Sequence, residues 1–287
     1  MKAASECLPC LRRLVHQAAT LATNDEALRA QALDEGLAIV EGRFSYQGTT
    51  IGLATALHEA VKTVTGNPDP YRGMKDQEMA LARGLIATVA SQYAPDFEGG
   101  LALAALGNSI DFFKDADAIE ADLERGVRFT IDHSRRFEER CRGAGQVLFL
   151  ADNAGEVFFD LPLVRWLSGV TSVTYVVKGA PVQNDITMAD LELSGLADEM
   201  GALARIATTG TATPGVLLDL ASEEFLALFR SADVVLAKGM GYYESLSELE
   251  GDGRVLHVLK AKCLPVARSL GVPLDSYVAF FDLGIGC

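Results

Sequence analysis

The chain has 287 residues, 49% of them hydrophobic and 22% charged, enough to bury a large core without disulfides or structural metals. A net charge of -14, from 39 acidic against 25 basic side chains, argues against a broad nucleic-acid surface, which needs clustered Lys and Arg. The start Met1-Lys2-Ala3-Ala4-Ser5-Glu6-Cys7 has no apolar leader, and no run of about 18 uncharged apolar residues could cross a bilayer; the expected setting is the cytoplasm, with no membrane or nucleic-acid partner and self-association left open.

Five cysteines, Cys7, Cys10, Cys141, Cys263 and Cys287, are an odd set in a long chain without a secretory leader, which disfavours a disulfide framework. Cys7-Leu8-Pro9-Cys10 is the close pair; two thiols at a helix start weigh as much as a redox pair and half of a zinc site together, and the missing second Cys or His pair weakens the zinc reading. Leu11, Leu14, Val15, Ala18 and Ala22 then recur at helical spacing. Ile51, Ala54, Thr55, Leu57, His58 and Val61 do the same, up to a stop at Gly66-Asn67-Pro68-Asp69-Pro70. Helices are predicted over 78–93 and 99–106, with one or two more over 118–139. Between them Gly107-Asn108-Ser109-Ile110-Asp111-Phe112-Phe113 breaks the apolar pattern with glycine and short polar side chains. Residues 1–143 therefore read as a helical domain.

After Gly143 the period changes. Short apolar runs predict strands over 146–150, 173–177, 204–207, 233–236, 255–259 and 277–281, alternating with helices over 158–167, 188–194, 222–229 and 263–270, the pattern of a layered α/β domain over 144–287. No long linker separates the halves. The second half is also the more acidic, with 18 acids against 9 bases, so an anionic ligand there needs a local cation, which a divalent ion held by Asp152 and Asp185 would supply.

Open α/β sheets place ligands at the carboxyl ends of their strands, and three such ends carry chemistry. Ala151-Asp152-Asn153-Ala154-Gly155-Glu156 follows the first apolar strand, Asn184-Asp185-Ile186-Thr187 follows the second, and Lys238-Gly239-Met240-Gly241 ends a third. Asp152, Asn153 and Asp185 make a hard oxygen set suited to Mg²⁺ or Mn²⁺. The same residues also suit helix capping, and spacing alone leaves the two readings level. Lys238 and the N–H groups after it suit an oxyanion. The four histidines form no pair at ligand spacing, which disfavours zinc-hydrolase chemistry of the His-rich kind, and no Walker A, Gly-x-Ser-x-Gly or dinucleotide glycine fingerprint is present.

In this order, together with Asp69-Pro70-Tyr71-Arg72-Gly73-Met74-Lys75, Tyr242-Tyr243-Glu244-Ser245-Leu246 and Lys260-Ala261-Lys262-Cys263, these motifs resemble the DUF89 family of metal-dependent damage-control phosphatases, in its smaller archaeal and bacterial branch with an N-terminal CxxC. The resemblance covers almost the whole chain. It implies a Rossmann-like three-layer α/β/α domain preceded by and packed against an all-helical domain that contributes to the pocket. It implies metal ligation by Asp152, Asn153 and Asp185, with Mn²⁺, Ni²⁺, Co²⁺ or Mg²⁺ as the ion, and pocket residues Asn108 and Asp111. Lys238 matches the lysine that reaches the phosphate, with Glu156 and Glu244 completing the polar surroundings. The implied activity is hydrolysis of small phosphate esters, such as sugar phosphates or damaged phosphometabolites. Attack comes from a water with Asp111 as base or from Asp152 itself, the water being favoured. Zn²⁺ at Cys7 and Cys10 is a further expectation. Tyr242 departs from the family motif, where Asn is expected, and this bears on substrate preference. The alternative is a metal-dependent phosphometabolite-binding or group-transfer protein, including a SAM-dependent methyltransferase, which the lack of a glycine-rich cofactor loop at Asp152 disfavours.

Overall fold

In a computed structural model, residues 1–109, 125–249, 251 and 253–282 are described. The first of them form α1 (Cys7–Ala22), α2 (Glu26–Arg43), α3 (Thr50–Thr65), α4 (Arg72–Ala90) and α5 (Phe97–Gly107). α1 buries Leu11, Val15, Ala18, Ala19 and Ala22, and α3 buries Ile51, Ala54, Leu57, His58 and Val61, the stripes that their spacing predicts. Asp25 caps α2 by accepting the N–H groups of Ala27 and Leu28, and Asp96 caps α5 through Gly99. Among the described residues no helix is long and apolar enough to cross a membrane.

Of the one or two helices predicted over 118–139, the described part keeps one and has a strand over 129–132 in place of helix. There the chain forms β1 (Phe129–Asp132) and then α6 (Ser134–Gly143). Phe129-Thr130-Ile131-Asp132 alternates between half-buried and exposed positions, the period of a strand, and Asp132 accepts the Ser134 N–H at 2.9 Å, which starts the helix afresh.

Beyond Gly143 the elements are β2 (Gln146–Leu150), α7 (Val157–Ser168), β3 (Ser172–Val177), α8 (Met188–Leu193), α9 (Ala197–Leu203), β4 (Arg205–Thr208), α10 (Glu223–Ser231), β5 (Val234–Lys238), α11 (Gly239–Leu246), β6 (Val255–Lys260), α12 (Leu264–Leu270) and β7 (Tyr277–Phe281). The described residues build one seven-stranded sheet in the order β1-β7-β6-β5-β2-β3-β4. β2 to β6 run parallel, and β7 enters antiparallel to β6. Both faces are covered. Val147, Phe149, Tyr175 and Leu236 pack with α5 and α7, while Leu148, Leu150, Val176 and Val235 pack with α10 and α11. This is why the central strands read as continuous apolar runs.

α5 lies against α7 at unusually close range. A Cβ on Gly107 would come within 2.9 Å of Phe159 Cβ, so glycine lets the helical layer seat tightly and delivers Asn108 to the sheet.

His58 is buried in α3. Burial pushes its imidazole down to about 4, although the Ala54 carbonyl, 2.6 Å from Nδ1, favours the protonated ring. Between about 4 and 6.5 the unfolded chain binds a proton at this residue that the folded one does not, so its contribution is full above 6.5 and falls as pH drops toward 4. The stability of the parent relative to His58→Gln should decline by about 3 kcal/mol over that window, as measured by urea denaturation at stepped pH.

Candidate active site

The strand order reverses between β2 and β5. From β2 the chain proceeds outward to β3 and β4, then returns to the other side of β2 for β5 and β6, and ligand crevices in open α/β sheets form at such a switch point. Asp152 lies just past the end of β2, and Lys238 ends β5. The loop after β3 folds onto the loop after β2. Ala154 N–H donates to Asn184 O at 2.8 Å, Ile186 N–H donates to Asp152 O at 2.9 Å, and Asn153 and Asp185 form a bridge. Asp152 and Asp185 are thus fixed backbone to backbone.

Capping is not what these side chains do. Asn153 precedes the short 3-10 turn Ala154–Glu156 and makes no cap hydrogen bond. α8 is capped instead by Thr187, which exchanges hydrogen bonds with Asp190 in a capping box. Lys75 of α4, fully buried, reaches Asp190 at 3.1 Å and Asp69 at 2.7 Å, so the helical layer anchors the end of the Asp185 loop.

The amides are oriented by carboxylates. Asn108 donates through Nδ2 to Asp152 Oδ2 and Glu156 Oε1, both at 2.9 Å, and its Oδ1 accepts the Lys260 N–H at 3.2 Å. Asn153 donates through Nδ2 to Glu156 Oε1 at 2.8 Å. Burial pushes the Asp152 carboxyl well above its usual range, and the neighbouring charges of Glu156 and Asp185 push it further. Burial likewise raises Asp185, against the opposing pull of Lys178, whose Nζ is 3.3 Å from Asp185 Oδ2. Lys178 also donates to Gly215 O at 2.6 Å and lies 3.9 Å from the centre of the Tyr242 ring.

Together Asn108, Asp152, Asn153 and Asp185 line a cavity of about 170 Å³, with Asn184 and Lys262 also in its wall. Gly239 stands behind it at φ +80°, where a Cβ would fall 1.9 Å from Asp152 Oδ2. Only glycine accommodates both that backbone and that carboxylate.

Other expected site residues lie elsewhere. Lys238 is fully buried and pairs with Glu156 at 2.5 Å and with Asp160, outside the cavity wall. Glu244 sits one turn along α11 and accepts a hydrogen bond from Thr50. Asp111 lies outside the described residues. Cys7 is buried and Cys10 exposed, both as free thiols. No group of three or more His, Cys, Asp or Glu side chains is set to hold a metal ion among the described residues, so the zinc expectation at Cys7 and Cys10 gains no further ligands there.

The same fold occurs in a known protein. Residues 3–278 match the model of the damage-control phosphatase ARMT1-like domain. The chain belongs to this family. It is 32% identical to a damage-control phosphatase of Pyrococcus horikoshii, over 97% of either chain, and 31% identical to one of Archaeoglobus fulgidus, over 97% of this chain and 99% of the other. The crystal structure of a DUF89 family protein from P. horikoshii superposes with a TM-score of 0.88 at 31% identity, covering 98% of this chain and 99% of that one.

Several residues of this site carry no local signal in the sequence. Lys262 figures there only inside a motif, although it lines the cavity. Lys178 is the last residue of an apolar run, and its burial beside Asp185 depends on the loop folding back. Glu78 sits within a predicted helix, with nothing local to mark it.

Proposed function

We propose that the chain is a divalent-metal-dependent phosphomonoesterase acting on small phosphorylated metabolites. The observation that carries this reading is the surplus of carboxylate at one small cavity, where burial and the charge of Glu156 raise the proton affinity of both Asp152 and Asp185.

The residues present fit a hard cation. Asp152 and Asp185 offer carboxylate oxygens. Asn153, with its Nδ2 spent on Glu156, offers its amide oxygen. Such an oxygen set accepts Mn²⁺, Co²⁺, Ni²⁺ or Mg²⁺ without choosing among them. A bound ion would neutralise the charge of the phosphoryl oxygens. Asn108 uses both ends of its amide on protein groups, so its part is to hold Asp152 and Glu156 in place. We assign the phosphoryl-facing ammonium to Lys262, which lines the cavity, in place of Lys238. The N–H groups at the start of α11, where Met240 and Gly241 reach the cavity, favour the same anion. Water attacks in line with the leaving oxygen, with Asp111 as general base.

Metal stripping followed by phosphate-release assays on sugar and nucleotide monophosphates tests the proposal. Release should return with one or more of the four ions; silence with every ion, despite confirmed metal binding, sinks it. In the same assay Lys262→Met should lower kcat/KM by about 100-fold while leaving the denaturation midpoint close to that of the parent.

A further inference from the structure

Asn184 precedes the proposed ligand Asp185, and its side chain is held by a residue of the helical layer. Glu78 of α4, 2% exposed, accepts from Asn184 Nδ2 with both carboxylate oxygens, at 2.9 and 3.0 Å. A carboxylate accepts and cannot donate, so this contact decides which end of the amide faces α4. Glu78 is itself placed tightly: a Cβ on Gly155 would stand 3.1 Å from its carbonyl oxygen, so this turn of α4 is pressed against the Asp152 loop as well. Asn184 Oδ1 accepts no hydrogen bond from a described residue, while Asn184 lines the cavity.

The three asparagines of the site therefore divide by chemistry. Asn108 has both ends satisfied within the protein. Asn153 spends its Nδ2 on Glu156 and has its Oδ1 assigned to the proposed metal set. Asn184 leaves an acceptor for a donor carried by the ligand. We infer that Asn184 is a specificity residue whose Oδ1 accepts a hydrogen bond from a hydroxyl on the carbon skeleton of the phosphate ester, and that Glu78 is its positioning residue. The inference rests on the reading of this cavity as a phosphate-ester site. It gives the helical layer a part in substrate choice, because the Glu78 carboxylate keeps the amide from turning its N–H groups to the ligand. A site built around a fixed acceptor discriminates against an analogue lacking the donor.

Calorimetry on the Mn²⁺-loaded full chain with two non-hydrolysable probes, 3,4-dihydroxybutylphosphonate and butylphosphonate, isolates the hydroxyl contribution. The parent should bind the hydroxylated probe about tenfold more tightly. Asn184→Ala should bring the two affinities together. Glu78→Gln, which keeps the volume of the side chain but can present either a donor or an acceptor to Asn184, should reduce the ratio part-way, and it serves as the second variant if Asn184→Ala does not fold. A role in general packing would weaken both probes alike and leave their ratio unchanged. The inference is overturned if the parent binds neither probe or does not distinguish them, if the ratio survives in the variants, or if Asn184→Ala weakens binding of Mn²⁺ alone, which would make the oxygen a metal ligand. If the ratio behaves as expected and none of the sugar and nucleotide monophosphates, nor glycerol 3-phosphate, is hydrolysed with any ion, the hydrolytic reading falls and this assignment stands.

Discussion

Asp152→Asn should stabilise the metal-free protein and nearly abolish its response to metal. Asp152 is buried beside Glu156 and Asp185, and each of these raises its proton affinity, so the folded state carries like charges at close quarters. Removing one relieves that repulsion, while the isosteric amide keeps the shape that fits against Gly239. A gain of about 1 kcal/mol in urea denaturation without metal is expected. The same substitution takes a carboxylate from the proposed ligand set, and Mn²⁺ affinity and phosphate release should each fall by more than about 100-fold. The two effects combine in one measurement. With Mn²⁺ at a hundred times its dissociation constant the parent should gain about 2.7 kcal/mol, and Asp152→Asn should gain almost nothing. If the variant is destabilised without metal, Asp152 is a structural acceptor for Asn108, and the picture of a charged cavity awaiting a cation is wrong.

The legibility of this protein in its sequence follows how local each signal is. The apolar runs of β2, β3, β5 and β6 and the stripes of α1 and α3 are visible because burial repeats along the chain. β1 was hidden: four residues with one half-buried side gain their partner, β7, from a segment more than a hundred residues away. The strand-end positions of Asp152 and Asp185 were legible because an apolar run that ends in an acid is a local pattern. What the acids face was not. The backbone bonds from Ala154 to Asn184 and from Ile186 to Asp152 join two loops separated in the chain, and the contact of Glu78 with Asn184 spans 106 residues. Lys238 and Lys262 illustrate the same limit. Both are lysines near strand ends, and only the placement of Glu156 and Asp160 on α7 and the turn before it draws the first into the interior while the second lines the cavity.

For Lys238→Met the expected result is a large loss of stability. The ammonium is fully buried between Glu156 and Asp160, and Asp160 also accepts from Tyr175 Oη at 2.8 Å. Burial alone would lower the lysine's proton affinity, but the two carboxylates outweigh it and raise that affinity. Burial pushes Asp160 up to about 6 even with Lys238 opposing it. Methionine fills much of the same volume, so the main change is two buried carboxylates left without their cation, at a cost of about 3–5 kcal/mol. The pH dependence follows from the sign of the shift. Without Lys238, Asp160 should be raised further, so the folded variant holds a proton there that the unfolded chain has released. The resulting stability is present at low pH and lost as pH rises through the folded value. The defect should therefore be larger at pH 8 than at pH 5, and Asp160→Asn added to Lys238→Met should recover part of it. Phosphate release should also suffer, because Glu156 holds both Asn108 and Asn153 and would lose its own anchor. A phosphate-contacting lysine predicts the reverse pattern: a stable protein at every pH with a deficit confined to turnover. Urea denaturation of the single and double variants at the two pH values separates a buried counterion from a ligand contact.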